Sequence, residues 1–123
     1  MNSKIFTIVI TGATKGLGKA LAEQYIQLGH NVIGCGRDAE SIKSLSTIYE
    51  GKADFQVVDI SIYNQVRKWS ATVLEKYKSP DFLINNAGII NKNAFIWDVP
   101  EEEFSSVIDV NIKGTYHTIK GFV

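Results

Sequence analysis

The junction between an apolar segment and a glycine-rich turn near the start of the chain places the strongest constraint on the fold. Ile5–Ile10 is a continuous apolar run, which is typical of a strand buried on both faces of a sheet. It leads directly into Thr11–Gly18, which reads TGATKGLG and is followed by a helical pattern. Glycines let the backbone approach a phosphate closely, and the free N–H groups at a helix start favour an anion. The junction therefore predicts a turn that binds the phosphates of a dinucleotide.

The residues around the glycines argue against a Walker A loop, the phosphate-binding turn of many ATPases. In that loop the second glycine is followed by lysine and then by serine or threonine. Here Gly18 and Lys19 are followed by Ala20, and Ala13 occupies the position of the loop's first glycine. A purely structural turn between a strand and a helix remains the alternative to dinucleotide binding.

Along the chain, strand-like apolar runs alternate with helical patterns. The predicted strands are Ile5–Ile10, Asn31–Cys35, Phe55–Val58 and Phe82–Asn85. The predicted helices are Gly16–Leu28, Ala39–Tyr49 with Asp38 as its N-cap, Ile62–Tyr77, and a last helix from about Pro100 that follows a loop over Asn86–Asp98. This alternation predicts the α/β class, with a Rossmann-type doubly wound parallel sheet that is truncated after the fourth strand and its following helix. We expect one domain over residues 1–123, with the fourth strand at a sheet edge.

Three of the helices show apolar residues at helical spacing, which predicts the faces that they bury. In the first helix the predicted stripe is Leu17, Ala20, Leu21, Tyr25 and Leu28. In the third it is Val66, Trp69, Val73 and Tyr77. In the last it is Phe104, Val107, Ile108, Ile112 and Ile119. Asn111 shares that last face, so we expect it to point inward and to need a hydrogen-bonding partner. Gly114 predicts a close contact or a local distortion of the same helix.

Composition and charge exclude several classes of protein. The chain of 123 residues is long enough for one domain, and its 13 basic and 13 acidic side chains balance. This balance of charge gives no reason to expect binding to nucleic acid or to an anionic membrane. No apolar run approaches the roughly 20 residues of a membrane-spanning helix. The single cysteine, Cys35, rules out an internal disulfide and favours a reducing compartment, so we expect a cytoplasmic protein. No metal site is predicted.

Four short motifs occur in order along the chain, and together they resemble the short-chain dehydrogenase/reductase family. The turn Thr11–Gly18 resembles the family's cofactor motif, and Asn85–Gly88, which reads NNAG, resembles its second motif. Asp59 after the third strand and Asn111 near the end of the chain match a third and a fourth. The resemblance covers the whole chain and implies that it is the N-terminal, cofactor-binding portion of such an enzyme.

The resemblance also implies roles for individual residues. Asp59 would accept a hydrogen bond from the adenine amino group, and Ile60 would pack on the adenine ring. Asn111 would be catalytic and would hold a water molecule in the proton relay, whereas Asn85 and Asn86 would pair with backbone across the sheet. The implied cofactor-binding residues are Thr11, Gly12, Thr14, Lys15, Gly16, Leu17, Gly18, Arg37, Asp59, Ile60, Asn86, Ala87 and Gly88. From the residues alone, Asp59 is equally a candidate helix cap and Asn111 a core amide with a partner.

Residues after the second strand favour NADP over NAD as the cofactor. An acidic side chain at this place would bond the ribose hydroxyl of NAD, whereas arginine accommodates the 2′-phosphate of NADP. The chain has Gly36 where the acid would stand, and Arg37 follows at once. Lys15, within the glycine turn, offers a second cation. Asp38 comes one residue late for the ribose acid and is predicted to cap the next helix instead.

The family's active site also needs a serine and a Tyr-x-x-x-Lys pair downstream, where the tyrosine is the acid/base. Tyr116 and Lys120 fit the spacing, but Tyr116 comes only five residues after Asn111. On an α-helix it would point about 140° away from Asn111. We therefore predict that this pair lies on a helix flank, that the chain lacks the acid/base, and that it is inactive alone.

The sequence thus predicts an NADP-dependent oxidoreductase that moves a hydride to or from a carbonyl or a secondary alcohol, with the hydride chemistry supplied by the cofactor. Two other functions stay open at this point. One is a non-enzymatic NADP-binding module, and the other is a fragment that interacts with a partner through its last helix. We expect a homo-oligomer that forms through that helix, and a small carbonyl or alcohol as substrate.

Overall fold

A parallel sheet forms the centre of the protein in a computed structural model, which describes residues 4–90 and 92–123. Its strands are β1 (Thr7–Ile10), β2 (Asn31–Gly36), β3 (Ala53–Val57) and β4 (Phe82–Ile84). They are all parallel and follow the order β3-β2-β1-β4 across the sheet. The predicted α/β class is confirmed, and β4 lies at an edge as expected.

Helices connect the strands and follow the last of them. The helices are α1 (Gly16–Gln27), α2 (Ala39–Ile48), α3 (Tyr63–Tyr77), α4 (Glu101–Ile108) and α5 (Thr115–Phe122). A π-helical turn, Asp109–Gly114, joins α4 to α5, so the predicted last helix is one rod with a wider turn inside it. The predicted loop Asn86–Asp98 contains the 3-10 turn Ile96–Asp98, and its Asn91 lies outside the described residues. Within the described ranges, every helix is too short or too polar to cross a bilayer.

The two central strands, β1 and β2, are buried on both faces, which explains the apolar run of β1. Ile8 and Ile10 pack into one layer with residues of α1 and α2, whereas Val9 packs into the opposite layer with residues of α3 and α5. Each such side chain contributes about 1.5–3 kcal/mol through its removal from water. The predicted face of α3 is confirmed, since Val66 and Trp69 lie in the second layer.

The predicted buried face of α1 is right only in part, because Leu21 and Tyr25 pack partly buried against the layer of Ile8 and Ile10, whereas the rest of the predicted stripe is exposed. Leu17 and Leu28 are 67% and 61% exposed, and the residues that α1 buries are Gly18, Ala22 and Ile26. The rotation of this helix is set at its first turn, because a Cβ on Gly18 would collide with the Gly12 carbonyl and the Asn86 amide. That contact directs the Gly18 side of the helix towards the sheet, and apolar spacing alone does not reveal it.

The predicted inward face of the last helix is wrong, although the predicted distortion at Gly114 is confirmed. Phe104, Ile112 and Ile119 are about half exposed. The residues buried along this rod are Val110, Gly114, Thr118 and Phe122. A Cβ on Gly114 would lie 2.6 Å from Ile60 Cδ1, so this close approach, together with the π-helical turn, fixes the face that the helix presents to the sheet layer.

Candidate functional site

A cleft of about 390 Å³ opens at the carboxyl ends of the strands. The chain runs from β1 outward to β2 and β3 and then returns to the other side of β1 as β4, so the strand order reverses beside β1. Ligands of doubly wound sheets bind at such a reversal. The cleft is lined by Gly12, Thr14, Lys15, Gly16, Cys35, Gly36, Arg37, Asp38, Ser41, Val58, Ile60, Asn86, Ala87, Gly88, Ile89 and Val110.

Most of the residues predicted to bind a cofactor meet in this cleft, although they come from four separate parts of the chain. Those that line it are Gly12, Thr14, Lys15, Gly16, Arg37, Ile60, Asn86, Ala87 and Gly88. Thr11, Leu17, Gly18 and Asp59 are the predicted residues that do not line it. Thr11 and Gly18 are buried beneath the turn, and the Leu17 side chain points to solvent.

The glycine-rich turn has the backbone geometry that its sequence predicts. Gly12 and Gly16 have φ angles of +65° and +58°, which residues other than glycine rarely adopt. A Cβ on Gly12 would lie 2.8 Å from the Ala87 Cα. The turn and the loop after β4 are therefore in backbone contact, and they form a smooth cradle against which phosphate oxygens can be placed.

Thr11 fastens this cradle together from beneath. Its hydroxyl oxygen accepts hydrogen bonds from the backbone N–H groups of Asn86 and Ala87, at 3.1 and 3.0 Å. Its own N–H donates to the Ile84 carbonyl at 3.1 Å, and the side chain is fully buried. The Asn86 side-chain amide in turn donates to the Gly12 carbonyl at 3.1 Å. Thr11 therefore positions the two motifs that line the cleft.

Of the two asparagines after β4, only Asn86 pairs with backbone through its side chain. The carboxamide oxygen of Asn85 instead accepts a hydrogen bond from the hydroxyl of Thr118, which is fully buried on α5. Asn85 therefore links the end of the sheet to the last helix. Thr118 was missed at the sequence level because a threonine inside a helix carries no signal of a distant partner.

The carboxamide of Asn111 binds the loop that follows Gly88 through both of its ends. Its oxygen accepts from the Ile89 N–H, and its nitrogen donates to the Ile89 carbonyl, both at 2.8 Å. Asn111 is exposed as a residue, so the expectation that it lies inward with the apolar stripe is wrong. The side chain instead holds Ile89, which lines the cleft, whereas Asn111 itself does not line it.

Asp59 and Ile60 have different surroundings. The Asp59 carboxylate accepts from the backbone N–H and the hydroxyl of Ser61, at 3.0 and 2.7 Å, so it closes the turn before α3. The Ile60 side chain lines the cleft. Its carbonyl accepts a hydrogen bond from Nδ1 of His117 at 2.6 Å, which ties this wall to α5. Asp59 therefore closes this turn through Oδ1, and its contact with the adenine amino group stays a prediction.

Charged and hydroxyl side chains gather where β2 meets α2. Lys15, Arg37, Asp38 and Ser41 all line this part of the cleft. Asp38 caps α2 as predicted, because its carboxylate accepts from the Glu40 N–H at 3.2 Å and from the Ser41 hydroxyl at 2.6 Å. The Ser41 hydroxyl is the main cause that lowers the pKa of Asp38, followed by nearby backbone N–H groups and the charge of Lys15.

Gly36 cannot be replaced by a larger residue without a change in the turn. A Cβ at this position would collide with the Thr14 methyl group, and Gly36 itself is buried. Position 36 is where an acidic side chain would contact the ribose of NAD. The packing of Thr14 therefore excludes an acid there in this conformation, so the charged side chains at this end come from Lys15, Arg37 and Asp38.

Cys35 lines the cleft, but its thiol is held in the unreactive form. Burial raises the pKa of Cys35 to about 12, and a backbone hydrogen bond at Gly12 offsets only part of that rise. Because the thiolate is the reactive species, we expect the folded protein at pH 8 to react with a disulfide reagent about a hundred-fold or more slowly than the chain in denaturant. Absorbance of the released thiol measures both rates. Equal rates in the two conditions would contradict the burial argument.

Tyr116 and Lys120 lie away from the cleft, as predicted for a pair on a helix flank. Tyr116 is 59% exposed, and neither residue lines the cleft. The Lys120 ammonium lies over the rings of Tyr63 and Tyr116, at 4.8 and 5.9 Å from their centres. The pair therefore packs on the surface of α3 and α5.

Several residues of the cleft escaped the sequence-level prediction. Val58, Ile89 and Val110 are ordinary apolar positions next to predicted ones, and nothing in their identity marks them. Ser41 could have been found, because a hydroxyl three residues after an N-cap aspartate stands on the same helix end. Within residues 4–90 and 92–123, no cluster of His, Cys, Asp and Glu side chains could hold a metal ion.

Comparisons with known proteins agree with this geometry. The sequence model of a family described as "short chain dehydrogenase" matches residues 6–123. An NADPH-dependent pterin aldehyde reductase of Arabidopsis thaliana is 39% identical over 119 residues, which make up 95% of this chain and 49% of that protein. The chain spans about half the length of the curated relatives that it matches.

Solved structures show the same fold. The 3-ketoacyl-(acyl-carrier-protein) reductase from Brucella melitensis, complexed with NADH, superposes with a TM-score of 0.90 at 29% identity, over 96% of this chain and 48% of that one. The closed form of a serine dehydrogenase complexed with NADP+ gives a TM-score of 0.89 at 26% identity, over 95% of this chain and 47% of that one. Members of this group thus bind either cofactor, so the choice between them depends on the side chains in the cleft.

Proposed function

Because the chain belongs to the short-chain dehydrogenase family, we propose that its cleft binds NADP(H) in preference to NAD(H). The chain would then be the cofactor-binding portion, residues 1–123, of an oxidoreductase that acts on a carbonyl or a secondary alcohol. A pterin aldehyde reductase that depends on NADPH and a serine dehydrogenase that binds NADP+ are among its relatives, which supports the proposal. Other relatives are complexed with NADH or NAD+, so family membership alone does not decide which cofactor is preferred.

The observation that carries the proposal is the position of two cations in the cleft of the glycine-rich turn. Lys15 and Arg37 both line it, and Gly36 has no room for the acidic side chain typical of NAD binding. Arginine offers a planar set of N–H donors that matches phosphate oxygens. A cofactor that carries a 2′-phosphate would therefore be favoured here.

The residues present fit a dinucleotide. Gly12 and Gly16 leave the floor of the turn free of side chains where a Cβ would stand, and the first N–H groups of α1 lie beside it. Ile60 supplies an apolar surface for a ring, and Asn86–Gly88 also line the cleft. Thr11 and Gly18 would act from beneath by holding these walls together.

When bound, NADP(H) would supply the hydride chemistry. The residues of this chain would hold and orient it. Asn111 fixes the Gly88–Ile89 wall through both ends of its carboxamide, and we assign to it the positioning of a water molecule at that wall. Tyr116 and Lys120 pack on the surface and do not line the cleft, which supports the proposal that other residues supply the acid/base. A serine and a Tyr-x-x-x-Lys pair would come from outside this segment.

Replacement of Arg37 by alanine tests the cofactor preference. We expect the dissociation constant for NADPH to rise about 10- to 100-fold, because a hydrogen-bonded charge pair with the phosphate is lost. The constant for NADH should change by no more than about two-fold, since NADH has no group for this side chain to pair with. Titration followed by the fluorescence of the reduced cofactor measures both constants.

Arg67→Ala is the matched control, because Arg67 is an exposed arginine on α3 whose guanidinium donates to Asn64 and does not line the cleft. This variant removes the same charge from outside the lining of the cleft and should leave both constants unchanged. If Arg37→Ala weakened NADPH and NADH equally, the preference for the phosphorylated cofactor would be refuted.

A further inference from the structure

We propose that Asp38 is a specificity-determining residue that limits the preference for the phosphorylated cofactor. Its carboxylate lines the same end of the cleft as Lys15 and Arg37, the two cations assigned to the 2′-phosphate. This inference rests on the proposed function, because it concerns how the same site distinguishes NADPH from NADH. Asp38 would act by repelling the 2′-phosphate and by neutralising part of the positive charge that attracts it.

The carboxylate of Asp38 is held in place by the first turn of α2. One oxygen accepts from the Glu40 N–H at 3.2 Å, and the other accepts from the Ser41 hydroxyl at 2.6 Å. Ser41 also lines the cleft, but its hydroxyl hydrogen is donated to Asp38 and is not directed at a ligand. A flexible surface acid could swing away from an incoming phosphate, whereas this one is tied at both oxygens.

The helix end gives a second reason for competition between Asp38 and a phosphate. The first N–H groups of a helix and its dipole attract an anion, and here the Asp38 carboxylate already occupies that position. The charge of Lys15 acts on Asp38 and helps to keep it ionised. Because Lys15 and Asp38 line the same end of the cleft, the charge of Lys15 would act both on this carboxylate and on a phosphate that binds beside it.

The requirements of the helix do not explain an aspartate at this position. Asparagine and serine cap helices about as well as aspartate does, and both are neutral. An uncharged cap would leave Lys15, Arg37 and the helix end fully available to a phosphate. The charge of Asp38 is thus separable from its capping role, and substitutions that keep the cap can isolate it.

The experiment compares Asp38→Asn and Asp38→Ser with the unchanged protein. NADPH and NADH are titrated at low and at high salt. We expect both variants to bind NADPH about five- to ten-fold more tightly at low salt, because one negative charge beside a doubly charged phosphate is removed. The gain should shrink as salt screens the charges. Binding of NADH should stay within about two-fold, because the NADH ribose lacks the phosphate.

Glu40→Gln is the matched control. Glu40 is an exposed acid in the same first turn of α2, but it does not line the cleft, so its removal should leave the NADPH constant nearly unchanged. The thermal unfolding of each variant, compared with that of the unchanged protein, checks that the helix cap still stabilises the fold. Two neutral caps are used so that a folding defect in one variant leaves the other for the test.

Each outcome gives a distinct answer. Tighter NADPH binding in both neutral variants, with NADH unaffected, supports the inference. Unchanged NADPH binding, or an equal gain for both cofactors, overturns it while the proposed function stands. An equal gain in Glu40→Gln also overturns it, because general surface charge would then be responsible. If the unchanged protein binds neither cofactor, the proposed function fails and this inference fails with it.

Discussion

Replacement of Gly18 by alanine is expected to destabilise the protein and to abolish cofactor binding. The added Cβ would collide with the carbonyl of Gly12 and the side-chain amide of Asn86. Neither group can yield easily, because the first is backbone within the turn and the second donates its hydrogen bond to that same carbonyl. We expect the free energy of unfolding to fall by about 3 kcal/mol, the upper end for an overpacked core. Urea unfolding and NADPH titration measure the two effects.

The two effects should appear together, since the methyl group would push α1 away from the loop after β4 and widen the cradle between them. Lys19→Ala is the control, because it changes the next residue on the exposed side of the same helix and should alter neither quantity. A Gly18→Ala protein with unchanged stability and unchanged NADPH binding would show that the contact is looser than the structure indicates.

Replacement of Thr11 by valine is expected to lower the free energy of unfolding by about 2 kcal/mol. Valine has nearly the same shape, but it lacks the hydroxyl oxygen that accepts from Asn86 and Ala87. The Asn86 N–H keeps a second acceptor in the Ile84 carbonyl, whereas in the described chain the Ala87 N–H has no other. The cost therefore comes mainly from one backbone donor left without a partner near the buried face of the turn.

Thr11→Ser separates the hydroxyl from the packing. Serine keeps the acceptor and loses only a buried methyl group, so it should cost about 1 kcal/mol. NADPH binding should weaken in the valine variant and persist in the serine variant, because the hydroxyl holds Ala87 in the wall of the cleft. Equal destabilisation by the two substitutions would mean that the methyl group, and not the hydroxyl, holds the motifs.

Local patterns were enough to predict the fold class and the turn. The strand-like runs predicted β1 to β4 to within about two residues. The physical reason is clearest for β1 and β2, because strands buried on both faces consist of little but apolar residues. The glycine turn and the Asp38 cap were also predictable, since each depends on contacts within a few residues along the chain. The cleft followed from these elements, because parallel strands bring their carboxyl ends to one edge.

Helix faces and long-range partners were not predictable in the same way. The apolar residues of α1 gave its inward face only in part, and those of the last helix gave the wrong one, because glycine contacts at Gly18 and Gly114 decide how each helix rotates. The spacing of apolar residues indicates only which side of a helix tends to be buried. A glycine has no Cβ, so it lets a neighbouring group approach closely, and the sequence does not show which group that is. The partner of Asn85 on α5 lies 33 residues away and leaves no trace in local spacing.

The sequence by itself determined the order of the strands and helices, the glycine-rich turn and the two cations on which the proposed preference for NADP(H) rests. These properties depend on residue type and on near neighbours in the chain. Only the tertiary structure decided that Thr11 works from beneath the cleft, that Asn111 grips Ile89, and that Asp38 lies among the cations. The physical reason is that these roles depend on distances between residues that are far apart in the chain, and packing of the helices on the sheet sets those distances.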